Sequence, residues 1–136
     1  MNESEDPAGF GKDGSRKSLG RAGEAVARRY LESLGFHILE ANYRIRSGEA
    51  DIVAIQGKLL LFCEVKTRRK SGAAIEGYGR VQQQRLVKVS QDYIVKNGHM
   101  IPWEHETRYD VIIVGNGEGG ALEVKEHIAD AFRPQD

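Results

Sequence analysis

The sequence lacks the features on which several protein classes depend. Its 136 residues include one cysteine, Cys63, so no internal disulfide can form. No run approaches the roughly 20 apolar residues that a membrane-spanning helix needs. Residues 1–17 also lack the apolar segment of a signal peptide. We therefore expect a cytoplasmic protein without a membrane partner.

The sequence also lacks a net charge, because 20 Lys and Arg residues balance 20 Asp and Glu residues. No long-range field attracts a polyanion, so any binding of nucleic acid has to depend on local basic patches. Taken alone, such patches are more typical of a solvent-exposed surface. The candidate basic residues follow position 66 and recur further along the chain: Arg68, Arg69, Lys70, Arg80 and Arg85.

The length allows one domain with a core and is too short for two. Residues 1–17 are predicted to be a disordered tail, residues 18–132 the domain, and residues 133–136 a second tail. The glycine-rich connection over 71–79 is the expected mobile segment. Apolar spacing and capping residues predict a helix over 18–35, strands over 36–43, 51–55 and 59–63, a helix over 81–97, a strand over 109–114, and either an edge strand or a helix over 122–128.

The two apolar runs around Gly57 predict a β-hairpin. Gly57 and Lys58 suit a type II′ turn, which takes glycine at its first central position. Such a turn pairs Gln56 with Leu59 and fixes every later pair of the hairpin. A slip of one residue would move each side chain to the other face of the sheet, so the site depends on this turn.

This register brings four charged side chains together at the open end of the hairpin. Asp51 lies opposite Glu64, Glu49 lies opposite Lys66, and all four project from one face. Facing carboxylates repel each other by up to about 1 kcal/mol, and a divalent cation would reverse the sign of that interaction. Oxygen ligands suit Mg²⁺ or Mn²⁺, and a lysine supplies positive charge beside an attacking water or a phosphate. The pattern predicts a metal-dependent nuclease site.

Glu24 is a further candidate on the first helix. It stands on the flank of the apolar stripe, from which its side chain could reach past the edge of the core into a site. The alternative is a solvent-exposed glutamate that pairs with Arg28 at i+4, and spacing alone favours this alternative.

The combination of a helix glutamate, a strand aspartate and a strand ending in Glu-x-Lys resembles the PD-(D/E)xK nuclease superfamily. The spacing is similar to that of the archaeal Holliday junction resolvases. This resemblance implies an α/β fold with a restriction-endonuclease-like core in the order αβββαβ, in which helices flank a mixed sheet with an antiparallel meander. It also implies that Asp51, Glu64 and the carbonyl of Val65 bind Mg²⁺ or Mn²⁺, with Lys66 as the catalytic lysine and Glu24 as an additional ligand.

Motifs over about residues 20–132 resemble more closely the YraN family of uncharacterised bacterial proteins. Gln83 matches the helix glutamine of the superfamily pattern and is an expected nucleic-acid contact. The motifs are Gly20-x-x-Gly23-Glu24, Asn42-Tyr43-Arg44, Gly48-Glu49-x-Asp51, Phe62-x-Glu64-Val65-Lys66-x-Arg68, Gln83-x-x-Leu86, Arg108-Tyr109-Asp110-Val111 and Asp130-Ala131-Phe132.

Three interpretations of the charged cluster remain at this point. The first is an endonuclease that hydrolyses phosphodiester bonds, with DNA favoured over RNA and branched DNA among the candidate substrates. The second is a non-cleaving nucleic-acid-binding module of a DNA-processing or uptake complex. The third is a structural salt-bridge network of Asp51, Glu64 and Lys66. The intact set of acidic residues and lysine favours the nuclease, and a homodimer is left open.

Overall fold

The computed structural model describes residues 11–68 and 79–134, and for residues 11–17 it describes the backbone alone. The predicted tail up to residue 10, the final residues 135–136, the basic residues Arg69 and Lys70, and the glycine-rich connection up to residue 78 lie outside the described residues.

The described chain forms a mixed α/β fold, as the sequence predicts. Two short 3₁₀ turns occur at Gly98–Met100 and Glu118–Gly120. Across the two described segments, no helix is long and apolar enough to cross a membrane. The main elements are α1 (Gly11–Ser33), β1 (His37–Ile45), β2 (Gly48–Gln56), β3 (Leu59–Arg68), α2 (Arg80–Asn97), β4 (Glu106–Asn116) and β5 (Leu122–Ile128).

The five strands form one sheet in the spatial order β1-β2-β3-β4-β5. Neighbouring strands are antiparallel except β3 and β4, which are parallel. A parallel pair needs a crossover between its strands, and α2 lies in the chain between β3 and β4. The result is the predicted antiparallel meander followed by a parallel strand. The segment over 122–128 is the edge strand, so its alternative assignment as a helix is wrong.

A helix covers each face of the sheet. Alternate side chains of the central strands project to opposite faces, so the protein has two cores, one beneath each helix. Most of these residues are fully buried. The core beneath α1 includes Ala27, Leu31, Ile52, Leu61, Cys63 and Ile112. The core beneath α2 includes Val53, Phe62, Leu86, Val89, Tyr93 and Tyr109.

Helix α1 begins at Gly11, before the predicted N-cap Ser18, so residues 11–17 are helical where the sequence predicts a tail. Two glycines in this stretch weaken the sequence pattern of a helix. A helix that has already formed can nevertheless extend through them, because its extension needs no new nucleation step. The predicted end is confirmed. Gly35 adopts φ +97°, and the N–H of Phe36 donates to the carbonyl of Leu31 at 3.0 Å, as in a Schellman cap.

Candidate carboxylate and lysine site

The hairpin that carries the site has the predicted register. Gln56 pairs with Leu59, and the ladder continues in register to Ile52 and Cys63. Gly57 has φ +61°, whereas Lys58 is not among the non-glycine residues with positive φ, as a type II′ turn requires. The turn and its pairing are therefore confirmed from Gln56 to Ile52, the residue that follows Asp51 in the sequence.

Asp51 lies just beyond the last ladder pair. There its side chain accepts a hydrogen bond from the neighbouring strand that a backbone carbonyl would accept in a regular ladder. Its Oδ2 accepts a hydrogen bond from the N–H of Val65 at 2.7 Å. The N–H and C=O of one strand residue face the same neighbouring strand in an antiparallel pair. The carbonyl of Val65 is therefore directed to the side of β3 on which Asp51 lies.

Four carboxylates from three elements influence one another at this point. The pKa of Asp51 is raised to about 8, first by burial and then by the negative charges of Glu64, Glu24 and Glu49, while the hydrogen bond from Val65 opposes the rise. The folded protein therefore disfavours the ionised form of Asp51. The acidic residues predicted from separate parts of the sequence do converge.

Glu24 belongs to this group, although its helix partner is also present. Burial raises its pKa, and the charges of Glu49 and Glu64 raise it further. A side-chain hydrogen bond from Asn42 and the charge of Arg28 oppose that rise. The i+4 interaction with Arg28 therefore exists, but Glu24 is half-buried beside the site.

Asn42 was missed as a site residue by the sequence reasoning. It adopts φ +56° within β1, close to the irregularity in pairing between Ile38 and Glu40. Asparagine tolerates this left-handed conformation better than most residues with a side chain. Its presence inside a predicted strand, where asparagine is unfavourable, is the signal that could have identified it.

Gly23 explains why Glu24 can reach the strands. A Cβ atom at Gly23 would lie 1.9 Å from Oγ1 and 3.0 Å from Cβ of Thr67. Only glycine lets α1 approach β3 so closely. Gly20, on the same helix, has nothing within 4 Å of such an atom.

Gly23→Ala should therefore destabilise the protein, because α1 or Thr67 has to move. We expect a loss of about 1–3 kcal/mol in the free energy of unfolding, measured by urea denaturation. Gly20→Ala is the matched control and should increase stability by up to about 1 kcal/mol, since alanine favours the helix. Equal effects of the two substitutions would contradict the close approach.

Lys66 extends from the same end of β3 as Glu64. Its Nζ lies 3.1 Å from Oε2 of Glu64, and these side chains are 23% and 24% exposed. Glu49, which was predicted to lie opposite Lys66, forms an ion pair with Arg44 at 3.2 Å. A partly buried ammonium group therefore stands beside the carboxylates and within reach of solvent.

The predicted nucleic-acid contacts separate into two places. Arg68 is exposed at the end of β3, where its Nη1 donates to the Thr67 carbonyl at 2.9 Å. Arg85 lines a shallow depression that also includes Arg44 and Glu49. Arg80 and Gln83 line a different cavity beside α2.

The donor set suits a hydrated divalent cation. Within residues 11–68 and 79–134, no three His, Cys, Asp or Glu side chains are gathered so that they could hold a metal by themselves. Asp51 and Glu64 offer two carboxylates, and Val65 offers a carbonyl. Mg²⁺ commonly keeps several waters and binds through one or two carboxylates. A cation would also compensate the crowded charge of Asp51.

The chain is similar to proteins from several distant bacteria. A model of the group described as "Uncharacterised protein family UPF0102" matches residues 23–114. A UPF0102 protein of Alkaliphilus metalliredigens is 41% identical, covering 73% of this chain and 88% of the relative. One of Anaeromyxobacter dehalogenans is 39% identical, with 91% of each chain covered. Another, of Geobacter sulfurreducens, is 37% identical over 93% of this chain and 96% of its own.

Proposed function

This chain belongs to the UPF0102 family, and we propose that it is a metal-dependent nuclease that hydrolyses phosphodiester bonds, with DNA as the preferred substrate. One observation carries the proposal. A half-buried aspartate, Asp51, has its pKa raised to about 8 by burial and by the charges of three glutamates, one of which, Glu64, pairs with the partly buried Lys66. Strongly perturbed acids of this kind concentrate at functional sites.

The carboxylates of Asp51 and Glu64 and the carbonyl of Val65 would hold Mg²⁺ or Mn²⁺. When bound, the cation lowers the pKa of a water and offsets the charge of the scissile phosphate. Asp51 is held in place by the hydrogen bond from Val65, so one carboxylate is already oriented. Glu24, supported by Asn42, would orient a water at the edge of the site.

Lys66 would orient the attacking water or contact the phosphate. Its ammonium group lies 3.1 Å from Oε2 of Glu64, one of the carboxylates that would hold the cation. The positive charge of Lys66 would offset the negative charge that develops on the phosphate. Arg68 and Arg85 flank the site and would contact the phosphate backbone without reading bases.

The direct test is cleavage of a panel of substrates. Duplex DNA, branched DNA, single-stranded DNA and RNA should be incubated with Mg²⁺ or Mn²⁺, with Asp51→Asn as the control protein. The proposal is supported if the wild-type protein cleaves any of these substrates and Asp51→Asn does not. Binding without cleavage by either metal would leave a non-cleaving binding module.

Metal binding should be measurable apart from cleavage. Titration of Mn²⁺ should broaden amide resonances around Asp51, Glu64 and Val65 before others. At about 100 times the dissociation constant, the cation should stabilise the fold by roughly 2.7 kcal/mol. Asp51→Asn should lose the broadening and the stabilisation. If both persist in this variant, the cation binds elsewhere.

A further inference from the structure

Three arginines surround a shallow depression at the end of the sheet where β1 turns into β2. The volume of this arginine depression is about 560 Å³, and its lining consists of residues 44–49 and Arg85 of α2. The register pairs Ile45 with Gly48, so Arg46 and Ser47 form a two-residue turn. The tight turn holds Arg46 close to Arg44, the residue before Ile45, at one end of the hairpin.

Gly48 explains why an arginine of α2 joins the two arginines of the turn. A Cβ atom at Gly48 would lie 3.2 Å from Cβ of Arg85 and 3.2 Å from Cγ2 of Val89, which is closer than ordinary contact. The helix therefore packs tightly against the start of β2 because glycine stands there. This packing fixes the position of Arg85 at its Cβ atom, and the residue itself is exposed to solvent.

The arginine depression holds more positive charge than its single carboxylate balances. That carboxylate, Glu49, pairs with Arg44 at 3.2 Å, and the side chain of Arg44 is still 72% exposed. Neither Arg46 nor Arg85 forms an ion pair within the described part of the chain. Exposed guanidinium groups that line one concave surface suit a phosphate, because the planar fork of arginine donates two hydrogen bonds to phosphate oxygens.

Glu49 joins the arginine depression to the carboxylate site. It is two residues from Asp51 on β2, and its charge contributes to the raised pKa of Asp51 and of Glu24. Two residues of a strand span roughly 7 Å. This length is about two steps along one strand of nucleic acid, at about 3.4 Å of rise per step. A strand with one phosphate at the carboxylates can therefore place a neighbouring phosphate in the depression.

From these contacts we propose that the arginine depression binds one internal phosphate of a nucleic-acid strand, one or two nucleotides from the phosphate at the carboxylate site. Arg46 and Arg85 supply the charge, and the hydroxyl of Ser47 can donate to the same phosphate. The inference rests on the proposed function in one respect, that the strand bound here is the strand held at the carboxylates.

The shape and chemistry of the depression determine what it recognises. The described lining includes no aromatic and no amide side chain, so the contact should not depend on the base. A shallow surface lets a chain enter and leave, whereas a subsite for a strand end would be closed on one side. The depression therefore favours an internal phosphate over a terminal one.

The test measures binding without cleavage, in EDTA and in an Asp51→Asn background. Four labelled probes separate the chemistry: a single-stranded deoxythymidine dodecamer, the same dodecamer with a 5′-phosphate, an abasic phosphodiester chain of equal length, and a duplex of equal length. Affinity is followed by fluorescence anisotropy at several salt concentrations. Because only phosphate is contacted, each arginine variant should weaken all four probes by a similar factor.

Arg46→Ala and Arg85→Ala should each weaken binding about three- to tenfold and lower the salt slope by about 0.7–0.9. Their combined effect should be smaller than the product of the two factors, because both arginines contact one phosphate. Lys58→Ala is the matched control. It removes an exposed cation from the turn at the other end of β2 and should change neither affinity nor slope.

Glu49→Gln tests the same depression through a gain of affinity. It removes the carboxylate of the described lining and leaves Arg44 without its ion pair. Binding should tighten about two- to threefold, the size expected when an exposed ion pair no longer competes for the cation. Adding Arg44→Ala to this variant should abolish the gain. Glu104→Gln is the matched control, because it removes the partner of Lys58 and should leave affinity unchanged.

Affinity that is unchanged in both Arg46→Ala and Arg85→Ala overturns the inference. So does an equal loss in Lys58→Ala, because the effect would then follow overall charge. Losses confined to the 5′-phosphorylated dodecamer would assign the depression to a strand end, contrary to an internal phosphate.

If Arg85→Ala does not fold, Arg46→Glu decides, because an exposed turn residue can change without disturbing the core. This charge reversal should weaken every probe more than Arg46→Ala does. Unchanged affinity in Arg46→Glu overturns the inference.

The inference and the nuclease proposal fail separately. A protein that cleaves none of the substrates but shows these variant effects loses the nuclease and keeps the phosphate subsite. A protein that cleaves, with an affinity insensitive to Arg46 and Arg85, keeps the nuclease and loses the subsite.

Discussion

Asp51→Asn is expected to reduce cleavage by about a thousandfold or more and, in the absence of metal, to raise the melting temperature. Cleavage falls because an amide cannot give a divalent cation the charge of a carboxylate, and such a cation is worth several kcal/mol to the transition state. Stability rises because asparagine has nearly the same shape and can still accept the Val65 N–H at the position of Oδ2. The substitution also removes a half-buried charge that interacts unfavourably with Glu64 and Glu24.

The stability difference should depend on pH in a fixed direction. Burial and neighbouring carboxylates raise the pKa of Asp51 from 3.8 to about 8 in the folded protein. Between these values the folded state retains a proton that the unfolded chain has lost, so wild-type stability falls as the pH rises. The asparagine side chain of the variant does not titrate. The two proteins should have the same melting temperature near pH 4. At pH 8, a gain of about 1 kcal/mol in the free energy of unfolding would raise the melting temperature of the variant by roughly 3–5 °C.

Thermal melts in EDTA between pH 4 and 9, repeated with saturating Mn²⁺, check this result. The cation should reverse the order, so that the wild-type protein becomes the more stable. Glu104→Gln is a suitable control, since Glu104 is an exposed residue that pairs with Lys58 away from the site. A variant that melts below the wild type in EDTA at pH 8 would mean that Asp51 stabilises the fold, contrary to a binding role.

The hairpin was predictable because its information is local. Gly57 at the first position of a two-residue turn sets the register, and the register alone determines which acidic residues follow the ladder. The alternation of apolar and charged residues from Leu122 to Lys125 would also have favoured a strand over a helix for β5.

Contacts between distant segments were harder to predict. Glu24 could be a site residue or a partner of Arg28, and the choice depends on how closely Gly23 packs against Thr67. No periodicity encodes that distance. Asn42 supports Glu24 from a third element, and its role follows only once β1 is placed beside the site.

The cavity beside α2 was missed for a related reason. Arg80 and Gln83 were predicted to contact nucleic acid, as residues near the start of the second helix. The structure groups them with Phe132, which arrives through β4, β5 and the final turn. An aromatic residue near the end of a chain carries no sequence signal for the helix face that it meets.

Lys66→Ala separates the three interpretations that the sequence left open. A lysine that stabilises the transition state should affect the rate and leave affinity nearly unchanged. We therefore expect turnover to fall by about a hundredfold or more, the usual order for one positioned catalytic group. Binding of the same substrate to the metal-free protein should change less than about threefold, because one phosphate contact at most is lost.

The thermal stability of this variant is the second measurement. Lys66 and Glu64 form a partly exposed ion pair, and such pairs contribute about 0–1 kcal/mol. Removal of Lys66 should therefore lower the melting temperature by only a few degrees. Lys66→Arg is the matched control, since it retains the charge and the pairing with Glu64, but a planar guanidinium cannot occupy the position of a compact ammonium group. It should restore stability without restoring full turnover.

Each rival predicts a different result for the same variant. A non-cleaving module has no turnover to lose, so Lys66→Ala would alter only affinity, and Lys66→Arg would restore it. A structural salt-bridge network predicts a large fall in melting temperature, because Glu49, Glu64 and Asp51 would lose a shared counter-charge. A hundredfold loss of turnover at nearly constant affinity and stability fits only the nuclease, since it requires a positive charge that matters more in the transition state than in the folded ground state.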